Sequence, residues 1–468
     1  MLTHGVVTGS LVVMFGCVEL LSAQASNTSD PALAAKVDAI ANQVLQSTGV
    51  PSASVAVVKN GRLAYANAYG AAKLDPRVAA TPDMRYAIGS ISKQFTAAAI
   101  LLLQQEGKLS LDDPVSRFIP GLTRGNEVTV RQLLSHTSGY QDFWPQDYVM
   151  PMMLKSTTPQ SIADRWAKQP LDFDPGTRWQ YSNTNYTLAG MVVEKAAGMP
   201  FFQFVRTRIL EPVGLTSASD FDVSPRAANA TAYLRYGLGP LRPAPDAGSG
   251  WMWAAGELAM TASDLAKWDI SLIRQSLLRP ESYRALESDV HLRNGAGTGY
   301  GLGVDVAMQS GRFMVEHSGE VSGFTAENIV FPEDNAAVVV LTNQDAAPAS
   351  GTIAQQIVQA LFATEDALAE SRTARARGIL EGLQRGTIDR SLFTTNANAY
   401  FSDQALKDFA SSLGPLGSLT GFVQTRKAER GGMVYRSYRA SFPDRALRVW
   451  TYETPDGRLE QLQIAPQG

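Results

Sequence analysis

Two periods of apolar spacing, near 3.6 and near 2, divide this chain into segments. Residues 31–47 carry apolar side chains at helical spacing and predict a helix. Residues 53–58 and 62–69 flank Asn60-Gly61, a dipeptide suited to positive φ, and predict a β-hairpin. The run that follows Ser90 and Lys93 is almost wholly apolar and predicts a buried helix starting at Ser90. From about Leu111 to Leu265 the pattern breaks into short helices and long loops rich in Pro, Gly, Asp and Thr. Within that region residues 186–197 predict a helix, ended by Gly198 and Pro200. Alternation returns over 300–308, 312–317, 323–331 and 336–342, with turns at Ser310-Gly311 and Glu333-Asp334-Asn335, and a helix is predicted over 352–363.

Early and late strands separated by a long helical insertion predict one antiparallel sheet built from both ends of residues 26–364. Helices from the chain ends would flank it, and the insertion would form a mostly helical lobe, an α/β (α+β) arrangement with a pocket between the lobes. Residues 365–377 are dense in charge and alanine and read as a linker. Residues 378–468 read as a separate small α+β domain. It has helical segments near 377–385 and 402–411, then strands near 421–427, 433–441, 447–453 and 459–464. A small β-barrel is the alternative for that domain.

Composition narrows the function. The chain has 468 residues, 45% hydrophobic and 18% charged, with a net charge of −3. This is a globular composition with no Lys/Arg-rich run, so nucleic acid is not expected as a partner. Residues 1–25 read as a secretory signal: an apolar stretch over 6–18, then Ala23-Gln24-Ala25 as the cleavage pattern. A periplasmic or extracellular location follows, without a stable membrane span. The single cysteine, Cys17, lies inside that segment in a weak lipoprotein context. A mature chain without cysteine excludes thiol catalysis and disulfides.

Ser90 and Lys93, three residues apart, share one helix face, so the amine projects beside the hydroxyl. A serine hydroxyl needs a proton acceptor to become a nucleophile, and free N–H groups at a helix start can stabilise negative charge on a substrate oxygen. The spacing alone means little, since Ser-x-x-Lys occurs about once by chance in a chain of this size. Tyr181-Ser182-Asn183, in a loop before a helix, adds a phenol and an amide. A neighbouring ammonium at Lys93 would lower the phenol's pKa from its reference value of about 10. His317-Ser318-Gly319 ends a predicted strand, whose edge can bind an extended substrate through its backbone. The N–H of Glu320 is a second candidate oxyanion donor beside that of Ser90.

In this order and spacing the three motifs resemble the class C β-lactamase-like serine hydrolases. That family also contains D-alanyl-D-alanine carboxypeptidases, D-aminopeptidases and esterases. The resemblance spans most of residues 31–364 and includes Leu-Leu-Ser-His-Thr-Ser-Gly at 133–139, Tyr-Ser-Asn-Thr-Asn-Tyr at 181–186 and Gly-Tyr-Gly-Leu-Gly at 299–303. It implies a β-lactamase/transpeptidase-like fold and an acyl-enzyme on Ser90. Lys93 and Tyr181 would share the base and acid roles, their order open, and Asn183 would hold the acyl side chain. His317, Ser318, Gly319 and Glu320 would line the substrate's path, and His136 would be structural. The loop 140–144 and the pair Trp251 and Trp253 are possible pocket walls.

One departure matters. Well-known members have Lys-Thr-Gly where this chain has His317-Ser318-Gly319. A lysine there is a permanent cation for a substrate carboxylate, whereas a histidine is mostly neutral at pH 7. This favours esterase, amidase or aminopeptidase-like activity on a small-molecule or peptide-like ester or amide over a β-lactam or a D-Ala-D-Ala terminus. A non-catalytic sensor of cell-wall fragments is the rival from another class. No cofactor or metal is expected: the four histidines lack ligand spacing and no Gly-x-Ser-x-Gly occurs.

Overall fold

Strand Ser52–Lys59 is buried almost end to end because successive side chains enter two different cores. Ala53, Val55 and Val57 pack under the terminal helices Pro31–Thr48 and Ala349–Leu361, while Ala56 and Val58 face the helical lobe. Strand Ala336–Thr342 divides in the same way, Val338 and Val340 to one side, Val339 and Leu341 to the other. The sheet is thus a wall between two apolar layers, which explains why its central strands read as continuous runs rather than alternations. Each fully buried Val or Leu contributes on the order of 1.5–3 kcal/mol relative to exposure.

The computed structural model describes residues 30–146, 148–224, 228–363 and 366–466. The expected signal peptide and Cys17 lie outside the described residues. The main sheet is antiparallel and seven-stranded. Its order is Arg77–Ala79, Arg62–Leu74, Ser52–Lys59, Ala336–Thr342, Phe324–Phe331, Arg312–Val321, Asp305–Gln309, so early and late strands meet at its centre. The insertion carries short helices and also two small sheets that its loop-rich sequence did not suggest, one joining Tyr86–Ala87, Leu258–Met260 and Ser219–Asp220, the other joining Tyr233–Arg235 and Leu241–Pro243. Among the described residues no helix is long and apolar enough to cross a membrane.

Several boundaries differ from expectation, and the hairpin strand predicted over 62–69 runs on to Leu74. The strand predicted over 300–308 starts only at Asp305. Gly299 and Gly303 hold positive φ (72° and 79°), and a Cβ on Gly301 would lie 2.1 Å from the Leu286 carbonyl oxygen, so 299–303 is a packed turn. The strand predicted to stop at His317 runs to Val321. The stretch predicted as linker, 365–377, is largely the first half of helix Ala369–Gln384.

The chain divides into two compact units at Phe362/Ala363. In the second, strands Gly421–Arg430, Met433–Ser441, Ala446–Glu453 and Leu459–Pro466 form an open antiparallel meander. Helices Ala369–Gln384 and Asp403–Leu413 contribute Leu380, Leu383 and Leu413 to its core with Tyr438 and Val449. Asp366 belongs to this unit: the buried Arg436 guanidinium grips it with Nε at 3.1 Å and Nη2 at 3.0 Å, holding its carboxyl at about 2.

The site depends on one close approach in the first unit. A Cβ on Gly319 would sit 2.0 Å from the Ile88 carbonyl oxygen, and one on Gly89 would sit 2.8 Å from the Glu320 nitrogen. Only glycine lets strand Arg312–Val321 lie this near the turn that carries Ser90. Gly319→Ala is therefore expected to lose about 1–3 kcal/mol of stability through overpacking, read as a lowered urea midpoint together with lost activity. An unchanged midpoint would show that the strand has room to move.

Candidate active site

Ser90 lies in the 3-10 turn Gly89–Ile91, directly before helix Ser92–Gln105. That helix is buried on every face from Ser92 to Leu103, which accounts for the unbroken apolar run from Ala97 to Leu103. One turn in, Lys93 is fully buried with its Nζ 3.0 Å from Ser90 Oγ. The amine has two other contacts, the Asn183 Oδ1 at 2.9 Å and the Ala255 carbonyl at 2.8 Å. The segment carrying Ala255 is pinned to the same helix, since Ser92 Oγ accepts from Leu258 N–H and Thr96 Oγ1 donates to the Ala254 carbonyl.

Burial lowers Lys93 to about 7, and the Asp142 carboxylate acts in the opposite sense. At neutral pH much of it is therefore an uncharged amine with two N–H donors and one lone pair. Neither the Ala255 carbonyl nor the Asn183 Oδ1 has a proton to give, so both must accept. The lone pair is left for the third neighbour, the Ser90 hydroxyl.

Tyr181 approaches from the other lobe, its OH 2.7 Å from Ser90 Oγ. His136 fixes the loop: its carbonyl accepts from Gln180 N–H at 3.0 Å, its Nδ1 accepts from Ser182 N–H at 3.2 Å, and its ring lies 4.3 Å from that of Tyr181. The structural role read for His136 is thus a specific one. Tyr181 does not behave as the sequence suggested. Burial, followed by the Asp142 and Asp305 charges, pushes its phenol upward, and only the Ser90 bond pulls the other way. With its phenol pushed up by burial and Lys93 only partly charged, Tyr181 rests as a protonated donor to Ser90.

Asn183 opens helix Asn183–Ala197 and bridges Lys93 and Asp142. Its Oδ1 faces Lys93, its backbone N–H donates to Asp142 Oδ1 at 2.9 Å, and its Nδ2 leans toward Asp142 Oδ2 at 3.4 Å. Asp142 also accepts from Trp144 N–H at 3.1 Å. Asp142 went unnoticed in the sequence, where it is one acid among many in a loop. Its only signal is its place in the 140–144 segment already suspected as a pocket wall.

His317 lines the cavity, but its ring is committed elsewhere. Nδ1 donates to the Ser318 carbonyl at 2.5 Å and Nε2 accepts from the Tyr300 OH at 2.9 Å. Burial, then Lys93, lowers it to about 4, so it is neutral. With both nitrogens bonded inside the protein, its imidazole offers neither charge nor a spare donor, so its part in the cavity is that of a neutral wall. Tyr300, which sets this, was not singled out in the sequence.

Ser90, Tyr181, Asn183, His317, Ser318, Glu320 and Trp251 all line one cavity of about 710 Å³. Gly319 supplies the close approach described above rather than a wall. Trp251 is largely a packing residue, its Nε1 donating to the Lys155 carbonyl at 2.7 Å and its ring set against Phe143 and Trp166. Trp253 does not line the cavity and packs on Phe201 instead.

Comparison with known proteins bears on the family and the fold. The chain is 29% identical over 321 residues to Protein flp of Staphylococcus aureus, covering 66% of this chain and 62% of that one, so it spans about three-fifths of that relative's length. A D-stereospecific amidohydrolase from Streptomyces sp. superposes with a TM-score of 0.60 at 29% identity, over 70% of this chain and 98% of that chain. The octameric penicillin-binding protein homologue from Pyrococcus abyssi superposes with a TM-score of 0.63 over 93% of this chain and 98% of that chain, a likeness that at 23% identity speaks to fold alone. The Beta-lactamase family model matches residues 37–362, most of the chain. The chain belongs to the beta-lactamase family.

Proposed function

We propose that this protein is a serine hydrolase that cleaves a small, peptide-like amide or ester through an acyl-enzyme on Ser90. The observation that carries this reading is the contact set of Lys93: two obligate acceptors, and a third contact on the nucleophile. A sensor has no use for a buried, deprotonated amine aimed at a serine. The amidohydrolase likeness supports an amide or ester bond.

In this reading the neutral Lys93 amine takes the Ser90 proton as Oγ attacks the carbonyl carbon. The developing oxyanion faces the N–H groups of Ser90 and Glu320, whose chain segments the close approaches of Gly89 to Glu320 and of Gly319 to Ile88 bring together. Collapse expels the leaving group, which receives its proton from the Lys93 ammonium through the Tyr181 hydroxyl. Water then attacks the acyl-Ser90 ester, and the same groups run in reverse. Asn183 holds the acyl portion, and Asp142 positions Asn183. The neutral, internally bonded His317 disfavours β-lactam or D-Ala-D-Ala substrates, which carry a carboxylate. Export to the periplasm or beyond, from the signal-like residues 1–25, belongs to the same proposal.

Two outcomes follow. A fluorophosphonate should form a P–O bond to Ser90 with loss of fluoride, seen as a mass shift on the Ser90 peptide, and Lys93→Ala should slow labelling by about 10²-fold or more. Absence of the adduct in the native protein would refute the nucleophile. The second outcome is a pH profile. Because the base is the deprotonated form of Lys93, kcat/KM should rise through about pH 7. Asp142→Asn removes the charge that holds Lys93 up, so the midpoint should move to lower pH. A midpoint that stays or rises would show that Lys93 is not the titrating base.

A further inference from the structure

The cavity that holds Ser90 is lined, among the described residues, by four carboxylates and by no lysine or arginine. Lys93 lies beneath it, wholly buried and with three contacts already made. The four acids differ in what they hold. Asp142 accepts from Asn183 and Trp144. Asp345 accepts from Gly323 N–H at 3.0 Å, and Glu320 from Ala346 N–H at 2.8 Å. Among the described residues the Asp305 side chain makes no hydrogen bond or ion pair, although it is only partly exposed and faces the cavity close to Tyr181 and Tyr300.

The sheet behind Asp305 makes matters worse for a lone carboxylate. Glu316 stands opposite it in register, and Glu327 is on the next strand, opposite Ser318. No basic side chain pairs with either one among the described residues. Burial, then the Glu316 charge, pushes Asp305 up to about 6, and burial with the other two acids pushes Glu327 to about 7. A cation placed in the cavity would relieve this repulsion, whereas an anion would add to it. Trp144, Tyr148 and Trp179 line the same space, with Tyr148 65% and Trp179 39% exposed. Exposed aromatic faces also suit a cation carried on an apolar body.

We propose that the substrate is a compact amide or ester carrying an ammonium group, and that Asp305 receives the ammonium. The proposal rests on the serine hydrolase reading and adds the charge class of what is hydrolysed. Asp305 is a specificity residue here and takes no part in the proton transfers at Ser90.

The test uses the full-length chain and three anilides of one amino acid, phenylalanine p-nitroanilide of either hand with a free amine, with an N-acetyl group and with an N-succinyl group. These present a cation, a neutral group and an anion. The free amine should exceed the N-acetyl form in kcat/KM by about tenfold or more, the scale of one charge-assisted hydrogen bond, with the N-succinyl form lowest. Asp305→Asn should reduce the amine-to-acetyl ratio by about tenfold, mainly through KM, and Asp305→Glu should keep most of it. Phenethylamine should also inhibit hydrolysis of p-nitrophenyl acetate more strongly than 3-phenylpropionate does. That comparison needs no variant. A wild-type preference for the acetyl or succinyl form, or a ratio untouched by Asp305→Asn in a folded protein, overturns the inference. If Ser90 still takes up the fluorophosphonate in that case, the hydrolase reading stands and only the charge class is wrong. If Ser90 takes up nothing, both fall.

Discussion

Everything at this site depends on keeping the Lys93 amine dry. An ammonium in water has no reason to give up its proton near neutral pH, and in the interior it has every reason to do so. The helix Ser92–Gln105 makes the exclusion of water possible because all its faces are covered from Ser92 to Leu103. Two carbonyl oxygens then fix the amine's orientation, and Asp142 sets how far the shift goes. The hydrogen-bond count and the electrostatics agree on one arrangement, in which the lone pair faces Ser90.

The rest of the fold brings the other groups to that amine. The sheet separates two apolar layers, so its strands are anchored on both faces. The far part of strand Arg312–Val321 extends beyond its pairing with Asp305–Gln309, which ends at Glu316. That extension carries Ser318 to Glu320 past the nucleophile turn, where two glycines permit backbone contact. From the opposite lobe His136 holds both neighbours of Tyr181. Three stretches of chain thus meet at the nucleophile: Lys93 and Tyr181 at its hydroxyl, and strand Arg312–Val321 against the backbone of its turn.

Much of this was legible in the sequence, and the failures have physical causes. The hairpin at Asn60-Gly61, the buried helix after Ser90 and the helix ending at Gly198 follow from local patterns that the tertiary structure reinforces. Residues 299–303 and the end of strand Arg312–Val321 misled because glycines there serve close packing with distant segments, which no local window reveals. Ser90, Lys93 and Tyr181 stood out through spacing and resemblance. Asp142 and Tyr300 did not, since each matters only through the residue it touches. The Ala255 carbonyl is a backbone atom and carries no residue signature at all. His317 was legible in part: its neutrality was foreseeable from its chemistry, but its two internal hydrogen bonds were not.

The central claim is that Lys93 loses its proton near neutral pH in the resting protein. The most direct measurement is an NMR titration of its side-chain Cε resonance, assigned by its disappearance in Lys93→Arg. The account predicts a midpoint near 7. A midpoint near the ordinary lysine value of about 10.4 would contradict it and leave Ser90 without its base.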